Sequence, residues 1–169
     1  MQHNIVLSTP RTYLCTADTL DFEHIRRLDS DPEIMRFISG GIPRTAQESK
    51  DWIVKRLAEY KTNGFGLMPA YLKDSDSFIG WCGLKHLENT SKIELGYRLD
   101  KPFWGMGYAT EMCKGVINYA HRELGITEIS AVTDIENKAS QNVLIKSGFQ
   151  YISRAFYYNA ELDLFELKI

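Results

Sequence analysis

Two glycines separated by one residue form the pattern in this sequence that is best suited to chemistry. They lie in the segment Phe103–Thr110, which reads F-W-G-M-G-Y-A-T between a strand-like run and a helix-like one. Glycine lets a backbone approach a ligand closely, and the unpaired N–H groups that open a helix point at it with the positive end of the helix dipole. The segment predicts either a phosphate-binding loop or an ordinary tight turn between strand and helix.

The strand before this loop carries a candidate general base. It reads K-I-E-L-G-Y-R-L over residues 92–99, and alternation along a strand places Glu94, Gly96 and Arg98 on one face. A carboxylate in that position can take a proton from a substrate directly or through a bound water. The alternative is a solvent-facing carboxylate that pairs with Arg98.

The remaining pattern predicts the elements that hold these two segments. A strand over 11–15 comes first, followed by a helix after Asp18 that includes Leu20, and by a second helix start at 31–32 that ends at the glycines 40–41. The capping-box spacing of Thr45 and Glu48 predicts a helix that ends near Gly64. We then expect strands at 65–73, 78–87 and 92–100, a helix at 107–124, a strand at 128–133, a helix from Asn137 to Gly148, and strands at 149–158 and 163–168.

This order predicts a mixed α+β fold whose first half is mainly antiparallel. The strands at 92–100 and 128–133, with the helix at 107–124 between them, form the one clear strand–helix–strand crossover, so we expect these two strands to lie parallel with a right-handed connection. Ligands usually bind where such a strand ends and its helix begins. The fold thus directs attention to the same glycine loop.

Composition and charge narrow the class of protein. The chain has 169 residues, 20 Lys+Arg against 22 Asp+Glu and a net charge of −2, which predicts one domain over 1–169 and no nucleic-acid groove. No signal segment or membrane span is evident. The three cysteines, Cys15, Cys82 and Cys113, are odd in number and widely spaced, which predicts reduced thiols, a cytoplasmic location and no metal site.

A second motif makes the glycine loop more specific. Residues Asn137–Phe149 read N-K-A-S-Q-N-V-L-I-K-S-G-F, and this segment together with Phe103–Glu111 resembles the paired signatures of the GNAT superfamily. Within that superfamily of acyl-coenzyme-A-dependent N-acetyltransferases, the chain is similar to the branch of ribosomal-protein N-terminal acetyltransferases, RimJ and RimL. The resemblance covers roughly residues 65–149. It implies a mostly antiparallel mixed sheet of about six to seven strands, flanked by helices and splayed between the fourth and fifth strands.

The resemblance also implies acetyl-CoA as co-substrate and a set of residues around it. The pyrophosphate would lie on the backbone amides of Gly105, Met106, Gly107, Tyr108, Ala109 and Thr110. The pantetheine arm would pair with the backbone of Tyr97, Arg98 and Leu99, as an added strand does. Asn137 and Ser140 would face the thiol end of the cofactor, and the alternative for these two is helix capping.

Two positions depart from the family pattern. Trp104 stands where relatives commonly have Gln or Arg, so a cation near the phosphates would come from Lys101, Arg98 or Lys138. Leu144 stands where many relatives have the Tyr that protonates the leaving thiolate. Ser140 is then the available donor to the thiolate, and a backbone N–H of Tyr97 or Leu99 would serve the carbonyl oxygen.

The expected reaction is direct transfer of an acetyl group from the thioester to a primary amine, with Glu94 and Ser140 as catalytic residues and no metal. The acceptor would be a protein N-terminus or a small molecule, in a pocket that Trp52, Phe156, Tyr157 and Tyr158 could line, and the assembly would be a homodimer. A non-catalytic acyl-CoA sensor domain is one alternative. A dinucleotide-binding enzyme is another, although Thr110 occupies its third glycine position.

Overall fold

The computed structural model describes residues 4–19 and 21–169. Leu20, which the pattern assigns to the first helix, lies outside the described residues. The strands are β1 (Ile5–Ser8), β2 (Thr12–Cys15), β3 (Leu67–Leu72), β4 (Phe78–His86), β5 (Ile93–Leu99), β6 (Glu128–Asp134), β7 (Gln150–Tyr157) and β8 (Ala160–Lys168). The helices are α1 (Phe22–Ser30), α2 (Arg36–Ser39), α3 (Ala46–Asn63), α4 (Tyr108–Leu124) and α5 (Lys138–Lys146).

The described strands form one sheet in the order β1-β2-β3-β4-β5-β6-β8-β7. Every neighbouring pair is antiparallel except β5 and β6, which are parallel. The mixed, mostly antiparallel fold and its parallel crossover pair are therefore confirmed. The sheet has eight strands because β1, which the sequence pattern did not reveal, pairs with β2.

The sheet opens between β5 and β6. The ladder between these two strands contains a single pair, Glu94 with Ser130. Beyond it β5 continues to Leu99 and β6 to Asp134 without pairing to each other. This confirms the splay between the fourth and fifth predicted strands, which are the fifth and sixth in the sheet as observed.

The register of β4 against β5 decides which backbone groups face the opening. Asp100 N donates to Ile79 O and Leu87 N donates to Lys92 O, each at 2.9 Å. Because bonded residues alternate along an antiparallel strand, the even-numbered residues of β5 direct their N–H and C=O groups at β4. The odd-numbered residues, including Tyr97 and Leu99, direct theirs into the opening.

Helices cover both faces of the sheet, and the side chains of each face pack against a different set of helices. On one face α4 contributes Met112, Cys113 and Val116 to a buried core that includes Leu95 and Leu99 of β5. On the other face Ile25 and Leu28 of α1 pack with aromatic residues of β2 to β4, among them Tyr13, Tyr71, Phe78 and Trp81. Strand β5 therefore turns its apolar side chains to α4 and its polar ones, Glu94 and Arg98, to the face that carries α1 and α3.

Local chemistry explains where most helices begin and end. The capping box of Thr45 and Glu48 starts α3, and Gly64 ends it in the left-handed conformation with φ of 74°. Asp21, and not Asp18, caps α1, since Asp18 lies in a short 3₁₀ turn. The predicted helix start at 31–32 gives a hydrogen-bonded turn followed by the short helix α2.

Within the described part of the chain, no helix has both the length and the apolar character that crossing a lipid bilayer requires.

Candidate active site

The glycine loop adopts a conformation that only glycine takes up without strain. Gly105 and Gly107 have φ of 74° and 81°. A Cβ built at Gly105 would meet nothing within 4 Å, and one at Gly107 would meet Arg11 Nη2 at 3.5 Å. Helix α4 starts directly after Gly107 without a side-chain cap. Its first N–H groups are therefore not occupied by a capping side chain, which suits a pyrophosphate.

An arginine from the other end of the chain supports this loop. Arg11 Nη1 donates to Met106 O at 3.0 Å, Arg11 Nε lies 2.6 Å from Glu111 Oε2, and the guanidinium lies 4.3 Å from the Tyr108 ring centroid. Sequence reasoning did not identify Arg11, because the contacts span about a hundred residues and leave no local pattern. Arg11, in the turn between β1 and β2, thus holds the backbone of the loop in place, and its own charge is paired with Glu111.

Glu111 fixes that arginine. Burial acts to raise the pKa of Glu111, but hydrogen bonds from Thr9 Oγ1 and from the backbone and side chain of Arg11 outweigh it and lower the pKa below its usual value. The carboxylate therefore stays charged at neutral pH. Its contribution to stability is present above the unfolded-state pKa and is lost as the pH falls through the lowered folded-state value.

The three cations named from the sequence as phosphate partners are engaged elsewhere. Lys101 pairs with Glu33, and Lys138 Nζ donates to Ile135 O at 2.9 Å. Arg98 Nη1 bonds Asp29 Oδ1 at 2.6 Å on the opposite face of the sheet. The backbone N–H and C=O of Arg98 face β4, so of the three predicted pantetheine contacts only Tyr97 and Leu99 turn backbone groups toward the opening.

Tyr97 and Ser140 meet on the α4 face beside the opening. Their hydroxyl oxygens lie 2.8 Å apart, and Tyr97 Oη also lies 3.2 Å from the carbonyl oxygen of Ser140. Burial raises the pKa of Tyr97, so its phenol is protonated and can donate to Ser140. Asn137 Oδ1 accepts a hydrogen bond from Ser140 N at 3.1 Å, which is the helix-capping role.

Trp104 and Leu144 have structural contacts. The Trp104 indole donates from Nε1 to Leu99 O at 2.9 Å and ties the loop to the end of β5. Leu144 is fully packed in the core beneath α5. The two positions at which the resemblance implies polar side chains thus hold an indole and an aliphatic side chain with structural contacts.

Glu94 lies on the other face, at the point where β5 and β6 part. Its side chain is buried, at 5% exposure, and Oε2 accepts a hydrogen bond from the hydroxyl of Tyr158 and lies 2.9 Å from Lys85 Nζ. Tyr158 reaches Glu94 from the turn between β7 and β8, where its φ is 53°. Burial and the neighbouring Glu94 carboxylate raise the pKa of Tyr158, so it remains a phenol. The alternative of a solvent-facing Glu94 paired with Arg98 is wrong.

Asp29 organises the rest of this face. It is completely buried on α1, and Oδ1 accepts hydrogen bonds from Arg98 Nη1 at 2.6 Å and Arg44 Nη1 at 3.0 Å. Oδ2 accepts from Ser49 Oγ of α3 at 2.7 Å. The network fixes α1 and α3 against β5. Of the four aromatic residues expected around the acceptor, Trp52 and Tyr158 lie on this face, while Phe156 is 71% exposed.

Among the described residues, no group of three His, Cys, Asp or Glu side chains is arranged to hold a metal ion.

Comparison with known proteins agrees with this geometry. The profile of the Acetyltransferase (GNAT) domain matches residues 11–150, which is most of the chain. The chain belongs to the GNAT acetyltransferase family. It is an N-acetyltransferase that transfers an acetyl group from acetyl-CoA to an amine, and the dinucleotide-enzyme alternative is wrong.

Relatives extend the comparison. The chain is 31% identical over 145 residues to the FsC-acetyl coenzyme A-N(2)-transacetylase of Aspergillus fumigatus, covering 79% of this chain and 60% of that protein. An acetyltransferase from Agrobacterium tumefaciens has the same fold, with a TM-score of 0.86, 21% identity and coverage of 100% and 96% of the two chains. So does RimL, a ribosomal L7/L12 alpha-N-protein acetyltransferase solved with coenzyme A, with a TM-score of 0.79, 12% identity and 98% coverage of both.

Proposed function

We propose that this GNAT domain binds acetyl-CoA along the open edge of β5 and uses Glu94 as the general base for an amine that arrives from the opposite sheet face. Glu94 takes the proton of the amine, directly or through a water, and the neutral nitrogen attacks the thioester carbonyl. The N–C bond forms, the C–S bond breaks, and the thiolate takes up a proton. No covalent enzyme intermediate is needed.

The observation that carries the proposal is the position of Glu94. It is the β5 residue at which pairing with β6 stops, and its side chain faces away from α4. Lys85 and Tyr158 both contact Oε2, so Oε1 takes part in neither contact. The Tyr158 hydroxyl and the Lys85 ammonium thus position the carboxylate through Oε2 and leave Oε1 for the amine or a water.

The cofactor contacts follow from the open edge and the loop. Tyr97 and Leu99 offer backbone N–H groups toward the opening, where a pantetheine arm would pair as an added strand and the thioester oxygen would find a donor. The amides of Gly105, Met106, Gly107, Tyr108, Ala109 and Thr110 would bind the pyrophosphate. Asn137, at the start of α5, holds Ser140 in place beside the opening.

Ser140 is the proposed proton donor to the thiolate. When the Tyr97 phenol donates to Ser140 Oγ, the hydroxyl hydrogen of Ser140 is free to point into the opening. Tyr97 and Ser140 together would thereby protonate the thiolate, which the aliphatic side chain of Leu144 cannot do. The proposed base, Glu94, and the proposed acid, Ser140, lie on opposite faces of the sheet, so a proton does not pass directly between them.

Replacing Glu94 by Gln tests the proposal. The amide keeps the shape but cannot accept a proton, so we expect turnover to fall at least about tenfold, because a general base contributes roughly 10²–10⁴-fold. Acetyl-CoA affinity, measured by calorimetry, should stay unchanged. Glu128→Gln is the matched control, since Glu128 is an exposed strand carboxylate that pairs with Lys168 at 3.3 Å. Full turnover in Glu94→Gln at neutral pH would remove Glu94 from the mechanism.

The finer assignments of acceptor, assembly and location belong to the same proposal. The acceptor is the amine of a protein N-terminus or of a small molecule. The assembly is a homodimer formed through β7, an edge strand of the sheet with exposed Tyr151, Ile152 and Phe156; a monomeric mass by sedimentation would refute it. The location is cytoplasmic, which the three free, buried cysteines support.

A further inference from the structure

The turn between β1 and β2 packs directly on helix α4. Gly115 lies in the middle of α4, and a Cβ built there would meet Thr9 Cγ2 at 2.8 Å. An added methyl group would therefore collide with the turn, so the close approach of turn and helix requires the glycine. The same packing brings Arg11 of the turn beside the glycine loop, 95 residues away from Met106 in the chain.

The guanidinium of Arg11 is held in one orientation, although its side chain is half exposed. Arg11 Nε lies 2.6 Å from Glu111 Oε2, and the guanidinium carbon lies 4.3 Å from the Tyr108 ring centroid. Glu111 is fixed in turn, because Oε1 accepts hydrogen bonds from Thr9 Oγ1 at 2.6 Å and from Arg11 N at 2.8 Å. The arginine therefore meets the loop with its donors already directed.

The guanidinium acts on one peptide group of the loop, the one between Met106 and Gly107. Arg11 Nη1 donates to Met106 O at 3.0 Å. In a planar trans peptide the C=O and the N–H point in opposite directions. The bond that fixes the Met106 carbonyl thus also fixes the Gly107 N–H, which points away from the arginine.

This peptide group is one that could otherwise turn over. Gly107 has φ of 81° and ψ of 1°, the angles of the third residue of a type II turn. If the preceding peptide turned over, Gly107 would take φ of about −90°, as in a type I turn, and glycine adopts both values without strain. Helix α4 holds the next carbonyl, since Gly107 O accepts from Glu111 N at 3.1 Å. The Met106 carbonyl is held by Arg11 instead.

Arg11 also balances a negative charge beside the loop. Glu111 lies in the first turn of α4, at the positive end of the helix dipole, where a phosphate would also lie. An unpaired carboxylate at this position would repel the phosphate. Loss of Arg11 would therefore have two effects on a bound pyrophosphate: one amide would lose its fixed direction, and one carboxylate would lose its partner.

We propose that Arg11 is a positioning residue for the cofactor: it holds the peptide between Met106 and Gly107 so that the Gly107 N–H faces the pyrophosphate of acetyl-CoA. The inference rests on the proposed function, because it takes the pyrophosphate to lie on the loop amides. It adds that a residue of the turn between β1 and β2 determines the affinity for the phosphate part of the cofactor.

Two acetyl donors separate this role from a general contribution to folding. Acetyl-CoA carries the pyrophosphate, and S-acetyl-pantetheine carries the same thioester without it. For Arg11→Gln we expect the affinity for acetyl-CoA to fall at least about tenfold and that for S-acetyl-pantetheine less than about twofold, because a charge-assisted hydrogen bond of the pyrophosphate loop is lost.

Calorimetry gives both affinities without an acceptor amine. Acetyl-CoA is titrated into the free enzyme and into enzyme presaturated with S-acetyl-pantetheine, so that the weaker ligand is measured by its displacement. A purely structural role of Arg11 would weaken both donors by the same factor.

Three further variants sharpen the test. Arg11→Lys keeps the charge but replaces the planar fork by a single ammonium group, so it should recover only part of the affinity for acetyl-CoA. Removing both partners, with Arg11→Gln and Glu111→Gln together, should bind acetyl-CoA more tightly than Arg11→Gln alone, since the unpaired carboxylate is gone. Arg154→Gln is the control, at an exposed arginine of β7 that pairs with Glu161 at 3.7 Å, and should leave both affinities unchanged.

The outcomes distinguish this inference from the proposed function. Unchanged acetyl-CoA affinity in Arg11→Gln, or an equal loss for both donors, would overturn the role of Arg11. If Gly105→Ala weakens acetyl-CoA binding and Arg11→Gln does not, the loop binds the pyrophosphate without Arg11, and only this inference fails. If neither variant weakens binding, the loop is not the pyrophosphate site and both proposals fail.

Discussion

At the scale of single residues, two protonated tyrosines, Tyr97 and Tyr158, contact the two proposed catalytic residues. Burial raises the pKa of both Tyr97 and Tyr158, and the Glu94 carboxylate raises that of Tyr158 further. Both phenols therefore donate hydrogen bonds at neutral pH, Tyr97 toward Ser140 and Tyr158 toward Glu94. In the proposed mechanism the first bond orients the Ser140 hydroxyl toward the leaving group, and the second positions the Glu94 carboxylate.

Ser140→Ala tests the acid. The substitution removes the hydroxyl that Tyr97 contacts, so we expect turnover to fall about tenfold or more with little change in acetyl-CoA affinity. Because a poor leaving group needs the acid more, an acetyl thioester with a more acidic thiol should recover part of the loss.

Ser147→Ala is the control for this prediction, because it removes a serine hydroxyl near the other end of α5 that has no hydrogen-bond partner among the described residues. Equal turnover of Ser140→Ala and the unmodified enzyme would exclude Ser140 as donor.

The sequence predicted the face on which Glu94 lies but not its partners. Alternation along β5 is a local property, so Glu94, Gly96 and Arg98 could be assigned to one face in advance. Lys85 faces Glu94 from the neighbouring strand, but Tyr158 for Glu94 and Asp29 for Arg98 come from residues 64 and 69 positions away. Nothing in the local pattern specifies such contacts, and for that reason the pairing of Glu94 with Arg98 was wrong.

At the scale of elements, the glycine loop and the start of α4 form the unit that we propose to bind the cofactor. The loop is fixed by its own left-handed glycines, by Arg11 on the Met106 carbonyl and by the Trp104 indole on Leu99. Its backbone is thus held in position before any ligand arrives. A ligand that binds to a preorganised loop does not have to offset the entropy of ordering it.

Gly105→Ala tests this element. Its φ of 74° is strained for alanine by roughly 1–2 kcal/mol, and the strain should shift the loop amides and weaken acetyl-CoA binding about tenfold. Calorimetry gives the affinity and thermal unfolding gives the stability.

Gly125→Ala provides a matched comparison at the other end of α4, since Gly125 has φ of 67° and, like Gly105, nothing within 4 Å of a built Cβ. The two variants should lose similar stability, and only Gly105→Ala should lose affinity. Equal affinities would argue against the loop as the phosphate site.

Helices whose ends are marked by capping residues in the sequence were predicted correctly. The capping box of α3, the asparagine cap of α5 and the glycine that ends α4 all lie where the sequence indicated. Strand β1 was missed because it has four residues and depends on pairing with β2. Arg11 was missed for a similar reason, since its importance arises only when β2 brings it beside α4.

At the scale of the whole molecule, the opening between β5 and β6 joins two chemically different faces. The face with α4 and α5 holds the glycine loop, Tyr97 and Ser140, and the face with α1 and α3 holds Glu94, Arg98 and Asp29. In the proposed mechanism, a thioester in the opening would contact the cofactor-binding residues on one side and the amine on the other.

The most direct test of the account is release of free thiol from acetyl-CoA in the presence of amines. The panel contains peptide N-termini, free amino acids, polyamines and aminoglycosides, with acetyl-CoA binding measured alongside. We expect thiol release to depend on the amine and to match the acetylated product one to one. Tight binding of acetyl-CoA without amine-dependent release for any of these acceptors would contradict the account and support a non-catalytic acyl-CoA-binding domain.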